Sequence, residues 1–203
     1  MPNRFDPATH TYYLTTRGAE RPVPSVTQII NEVLQLDYHG ATDWHKERGT
    51  AIHACAARIA QGKEFDYDPQ IAGQVAAVRR FFAEVKPVVI AVEQQVYSAR
   101  YMYAGTYDLF GMIGDRTVLL DWKATVTATV PLQLAGYSTA LGEPASLPYK
   151  PSHGIGVELR DDGSYKCSEV YDLRRWVNKF LALRSVYGIK ESLGLIKAKR
   201  EET

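Results

Sequence analysis

The segment AGTYDLFGMIGDRTVLLDWKAT, from Ala104 to Thr125, restricts the possible folds of this chain more than any other stretch. Its Gly114-Asp115 dipeptide is a tight-turn signal between two apolar runs, so it predicts an antiparallel β-hairpin. Closing the hairpin on those two residues sets Ile113 opposite Arg116, Met112 opposite Thr117 and, counting on, Asp108 opposite Asp121. Directly opposed residues hold their Cβ atoms about 4.5–5.5 Å apart, and two carboxylates at that spacing repel. Strands that bury a face rarely spend it on ionised groups, because a buried charge costs far more than a lost methyl contributes. The pair therefore needs compensation.

A period of two places Thr106, Asp108 and Phe110 on one face and Leu119, Asp121 and Lys123 on the matching one. Two readings compete at this point. A divalent cation between the carboxylates would reverse the sign of their interaction. Alternatively, one Asp ends its strand in water and Lys123 neutralises it, since structural ion pairs are common. The first reading carries a stability expectation: Asp108→Asn should leave the metal-free protein as stable as wild type, or more so.

The flanking segments supply the rest of a domain. HTYYLTTRGAERPVPSVTQII reads as a hairpin around Arg17-Gly18 leading into a helix capped by Ser25 or Thr27. Helical patterns follow over 43–61 and 69–85, then a strand in VVIAVEQQVYS, the hairpin, a helix in VPLQLAGYSTAL, a second hairpin near Asp162-Gly163 and an amphipathic helix from Asp172. That order predicts an α/β (α+β) fold with a central mixed sheet covered by helices. At 203 residues we expect one domain. The N-terminal hairpin and helix fall in 1–42, the core and C-terminal helix in 43–190, and a charged tail in 191–203.

Composition limits the function classes. With 24 basic and 23 acidic side chains there is no overall basic excess to announce a nucleic-acid partner, so any such binding rests on local placement. No apolar run approaches the roughly 20 residues needed to cross a bilayer and the N-terminus lacks a secretory pattern, so no membrane role and a cytoplasmic location are expected. Two cysteines, Cys55 and Cys167, are too few for an iron–sulfur cluster or a Cys-built zinc site.

Other polar residues bear on the aspartates. His53 stands on an Ala-rich helix, where a histidine is by default a hydrogen-bonded core residue but is also a frequent metal ligand. Gln133 and Tyr137, at i and i+4, share one helix face and could meet a common ligand or cap a polar edge. Arg48 precedes the histidine and is either a phosphate ligand or a solvated surface arginine.

In order along the chain, RGTAIH, GTYDLF, LLDWKAT and LQLAGY resemble the motif succession of the RecB-like branch of the PD-(D/E)XK nucleases, from about Arg48 to Tyr137. Glu93, in AVEQQVY, sits where many of these nucleases carry a Glu before the first Asp, and HTYYL…VPSVTQII is similar to stand-alone phage-type members. The resemblance implies a restriction-endonuclease-like core. It also implies Mg²⁺ or Mn²⁺ bound by His53, Asp108, Asp121 and the main-chain carbonyl of Trp122. Lys123 would orient water and stabilise charge on the phosphate, with Glu93 beside the catalytic acids, and Gln133, Tyr137 and Arg48 would contact DNA or steady the site. The four cluster-binding cysteines of the family's iron–sulfur members are absent.

The expectation is a metal-dependent deoxyribonuclease, foremost an exonuclease of phage or prophage recombination, repair or DNA processing. A flap or branched-DNA endonuclease and a catalytically silent DNA-binding module are the alternatives. Partners would be the DNA backbone without strong sequence specificity, and a homo-oligomer or a single-strand annealing or recombination partner is compatible with it.

Overall fold

The computed structural model describes residues 3–36, 43–143 and 150–196. Among these, the elements run β1 (Arg4–Asp6), β2 (Thr11–Thr16), β3 (Ala19–Val23), α1 (Val26–Leu34), α2 (Asp43–Ala60), α3 (Ala72–Val85), β4 (Val88–Ser98), β5 (Tyr103–Ile113), β6 (Arg116–Lys123), α4 (Val130–Leu141), β7 (His153–Leu159), β8 (Tyr165–Cys167), β9 (Tyr171–Asp172) and α5 (Arg174–Ser192). The expected mixed sheet with helices on its faces is present. Its order is β4-β5-β6-β7-β8, with β9 also on β7; β6 and β7 run parallel and the other neighbours antiparallel. β1, β2 and β3 form a separate antiparallel sheet.

The central hairpin closes as its turn signal requires. Gly114 takes φ +61°, the left-handed backbone that glycine adopts without penalty, and pairing runs from Ile113↔Arg116 to Leu109↔Leu120. One face of the sheet packs Tyr107, Phe110 and Leu119 against α1, α4 and α5 through Ile29, Leu134 and Phe180. The other packs Leu109, Leu120 and Trp122 against α2 and α3 through Ala56, Val78 and Phe81. Close approach of α4 depends on Gly105, where an added Cβ would come within 2.5 Å of the Tyr137 ring.

The simple period of two fails at one row. On β5, Leu109 joins the α2–α3 core while Tyr107 joins the opposite one; on β4, Val92 and Val96 divide in the same way. The register that pairs Val92 with Leu109 and Gln94 with Tyr107 places Glu93 beside Asp108 at the break, and Glu93 itself has φ +49°. Thr106, Asp108 and Phe110 therefore do not share a face as the alternation predicted. The Thr106 hydroxyl bonds Tyr12 of the small sheet at 2.8 Å, whereas Phe110 lies in the α1–α4–α5 core.

Of the two proposed caps for the first helix, Ser25 takes the role. Its Oγ accepts from Gln28 N, and the Gln28 side chain accepts from Ser25 N, a reciprocal box that stabilises the helix by about 1 kcal/mol. The helix expected to begin at Pro69 starts instead with a 3₁₀ turn over Pro69–Ile71, capped by Asp68, and becomes α-helical at Ala72. β1 and β9 escaped prediction because three and two residues are too short to show a period. Most of the charged tail, 197–203, lies outside the described residues, and α5 ends at Ser192. No described helix is long and apolar enough to cross a membrane.

Candidate active site

The break in alternation sends the two aspartates to different neighbours. Both are buried, at 8% and 1% exposure, so each must find internal partners. Asp108 Oδ2 accepts from the backbone N–H of Trp122 at 2.7 Å, just beyond the last pair of the hairpin ladder, Leu109↔Leu120. Its Oδ1 lies 3.0 Å from His53 Nδ1 on α2. Asp121 instead faces α4: its Oδ1 accepts from Gln133 Nε2 at 2.8 Å, and its Oδ2 is 2.9 Å from Lys123 Nζ. Gln133 Nε2 also donates to the Tyr137 hydroxyl at 3.1 Å.

Glu93 completes the first group. Its Oε1 is 4.0 Å from His53 Nδ1, and one ligand atom each from His53, Glu93 and Asp108 lie within 4.8 Å of one another. The left-handed backbone of Glu93 is costly for a residue with a Cβ, and such strain accumulates at functional sites.

Proton affinities follow from these neighbours. Burial pushes the Glu93 carboxyl up to about 7, with the Asp108 charge adding to it and His53 offsetting it in part. Burial alone would lower His53, but the charge and hydrogen bond of Asp108 overcome it and raise the imidazole to about 9. It is then imidazolium near neutrality, and Nδ1–H donates to Asp108. The Asp108 carboxyl is held below its ordinary range: burial opposes this, and His53, Lys123 and the Trp122 N–H outweigh burial. Asp121 moves the other way, raised by burial, with Asp108 adding and Lys123 opposing. The expectation of two mutually repelled, uncompensated carboxylates is thus revised. Asp108 is compensated inside the chain by His53 and a backbone amide, so the stability expected of Asp108→Asn in the metal-free protein changes sign.

All the sequence-derived candidates fall around this one end of the sheet. His53, Glu93 and Asp108 form one group; Asp121, Lys123, Gln133 and Tyr137 form an adjoining one. Gln133 and Tyr137 are buried and touch Asp121 directly or through each other. Trp122 donates its N–H to Asp108 while its ring packs on Phe81. Arg48 is held by the Asp161 carboxylate, and its guanidinium lies 5.3 Å from the Trp44 ring.

Two residues, Asp161 and Gln74, are not signalled by the sequence. Asp161, in the turn after β7, accepts from both Arg48 and Gln74, joining α2 to α3. These partners are 113 and 87 residues away, and no local pattern could have paired them.

No protein-family model and no curated protein matches the chain. Among solved structures, it is similar to LHK-Exo, an alkaline exonuclease from Laribacter hongkongensis, with a TM-score of 0.38 and 14% identity over 85% of this chain and 94% of that one. LHK-Exo in complex with dAMP gives a TM-score of 0.39 and 13% identity, covering 86% and 95%.

Proposed function

We propose that this chain is a divalent-metal-dependent nuclease that hydrolyses DNA phosphodiester bonds, acting as an exonuclease in recombination or DNA processing of the phage type. The observation that carries the reading is the convergence of His53, Glu93 and Asp108 from α2, β4 and β5, beside a lysine held on Asp121 at the end of β6.

The donor set fits a hard cation. Carboxylate oxygens with one imidazole suit Mg²⁺ and Mn²⁺, and Glu93, its proton affinity raised first by burial and then by the Asp108 charge, is a carboxylate whose ionised form a cation would favour. His53, Asp108 and Glu93 would hold the metal, with Asp121 and the Trp122 carbonyl joining them in the ligand set that the family resemblance implies. A divalent cation there supplies charge against the scissile phosphate and makes a nearby water acidic enough to attack near neutral pH.

The remaining groups have roles of their own. Lys123 cannot ligate a cation, since an ammonium has donors only. It donates to water and to a phosphate oxygen as charge develops there, and Asp121 holds it in place. Gln133 and Tyr137 act through Asp121 by fixing its carboxylate. Arg48 remains for phosphate, which would share it with Asp161.

The test is digestion of end-labelled linear DNA and covalently closed circular DNA with Mn²⁺ or with EDTA. An exonuclease shortens the linear DNA from its ends in Mn²⁺, leaves the circle intact and does nothing in EDTA. Cut circles would favour the endonuclease alternative, and binding without cleavage would favour a silent module. Undiminished cleavage by metal-free protein would overturn the metal reading.

A further inference from the structure

The outer face of α5 lacks the charges that keep a solvated helix in water. From Ala182 to the C-cap residue Leu193, the residues open to solvent include Ala182, Ser185, Val186, Ile189, Ser192 and Leu193, and none of these is charged. Ile189 and Leu193 leave 57% and 66% of their surface exposed. The charged side chains of the same stretch are engaged elsewhere: Arg184 donates to Tyr101 O and Met102 O and lies 3.9 Å from Glu191, and Lys190 donates to Glu32 O on α1. A single exposed apolar residue needs no explanation, but a contiguous uncharged row marks a contact surface.

Spacing identifies the shape of the occupant. Ala182, Val186, Ile189 and Leu193 are separated by four, three and four residues, the seam that one helix presents to another. Such a seam is narrower than the broad apolar face with which a helix lies on a membrane. The row continues toward the N-terminus in the same steps through Lys179 and Arg175, both exposed. The stretches outside the described residues hold at most seven residues each, against twelve from Ala182 to Leu193, so none of them matches a helix to the whole seam.

We propose that two copies of this chain associate through the outer faces of α5, antiparallel about a two-fold axis that passes between positions 186 and 189. Steps of four, three and four read the same in both directions, so this axis sets Val186 against the partner's Ile189 and Ala182 against the partner's Leu193, small against large. Lys179 and Arg175 then run past the seam toward the C-terminal end of the facing helix, where the helix dipole favours cations. Parallel helices would instead oppose lysine to lysine and arginine to arginine. Twelve helical residues span about 18 Å, short for an interface of standard size, so the dimer exchanges with monomer and forms as concentration rises. The association does not depend on the nuclease reading.

Sedimentation equilibrium of the full chain over a range of concentrations tests this. Wild type should move from the mass of one copy toward that of two. Ile189→Glu, at an exposed position, should keep the wild-type Tm in dilute solution and stay monomeric. Ala182→Glu and Leu193→Lys should each weaken association by about tenfold or more, and an equimolar mixture of the two should recover dimers, because antiparallel pairing sets the introduced charges opposite each other. Wild type that stays monomeric at every concentration would overturn the proposal and leave the face to a different partner. Dimers that Ile189→Glu does not disturb would place the interface elsewhere and overturn it equally, and a mixture that fails to recover association would overturn the antiparallel pairing.

Discussion

Asp108 and Asp121 are neighbours across one hairpin, yet they belong to different chemical environments. Asp108 faces α2 with a histidine and a second carboxylate; Asp121 faces α4 with a lysine and an amide. The Asp121 group is neutralised by a fixed cation on its own strand. The Asp108 group is neutralised by a proton on His53, and a proton can leave. On the proposed reading the Asp108 group is the one to take a metal: a divalent cation would take over the role of the imidazolium, and its binding would expel protons.

The largest effect should separate the two groups directly. Asp108→Ala is expected to lose both cleavage and the rise in Tm that Mn²⁺ gives by mass action. Lys123→Met should slow cleavage by about 10²–10⁴-fold while keeping most of that rise. Cleavage rates and melts with and without Mn²⁺ measure both, and loss of the Mn²⁺ shift in Lys123→Met would dissolve the distinction.

A smaller effect concerns stability without metal. Asp108→Asn gives up the ion pair with His53 and weakens the acceptor for the Trp122 N–H, so urea unfolding in EDTA should show a loss of about 1–3 kcal/mol. Asp121→Asn should cost less, because the fold already disfavours the ionised form of Asp121. Equal losses would mean that the aspartates share one environment after all.

The smallest effect is a pH slope. Glu93 at about 7 and His53 at about 9 both lie above their ordinary values, so the native state holds more protons than the unfolded chain. The stabilisation each gives is complete below its unfolded pKa and fades as pH rises through its folded one. In EDTA the Tm should therefore decline from about pH 5 to about pH 9. Mn²⁺ should flatten or reverse the decline, since its ligands bind deprotonated. A Tm that climbs over this range without metal would contradict the proton inventory of the Asp108 group.

Much of this arrangement was legible in the sequence because its determinants are local. The Gly114 turn sets the register down to Leu109↔Leu120, and Ser25 or Thr27 locates the start of α1, the bond with Gln28 deciding for Ser25. Counting failed where a local rule met a tertiary one. The alternation of β5 breaks at Asp108, beside a Glu93 in left-handed backbone, and no pattern in AVEQQVY signals that conformation. Gln133 and Tyr137 were recognised as a pair, but only their burial against Asp121 shows that they reach the chemistry through a carboxylate. Asp161 stayed invisible, for its meaning lies wholly in residues on two other elements.

The small N-terminal sheet rests on β5: Ser25 bridges Ala104, Ala104 N donates to Pro24 O at 3.0 Å, and Tyr12 reaches Thr106 across 94 residues. This gives the chain an order of assembly. During synthesis the first 25 residues emerge long before the strand they dock on, and their hairpin can form early but must wait for its seat. Contacts of such sequence separation are slow to close. The strand that carries Asp108 is thus clamped by a segment synthesised well before it, and deletion of residues 4–23 should be felt as a late folding defect centred on the candidate site.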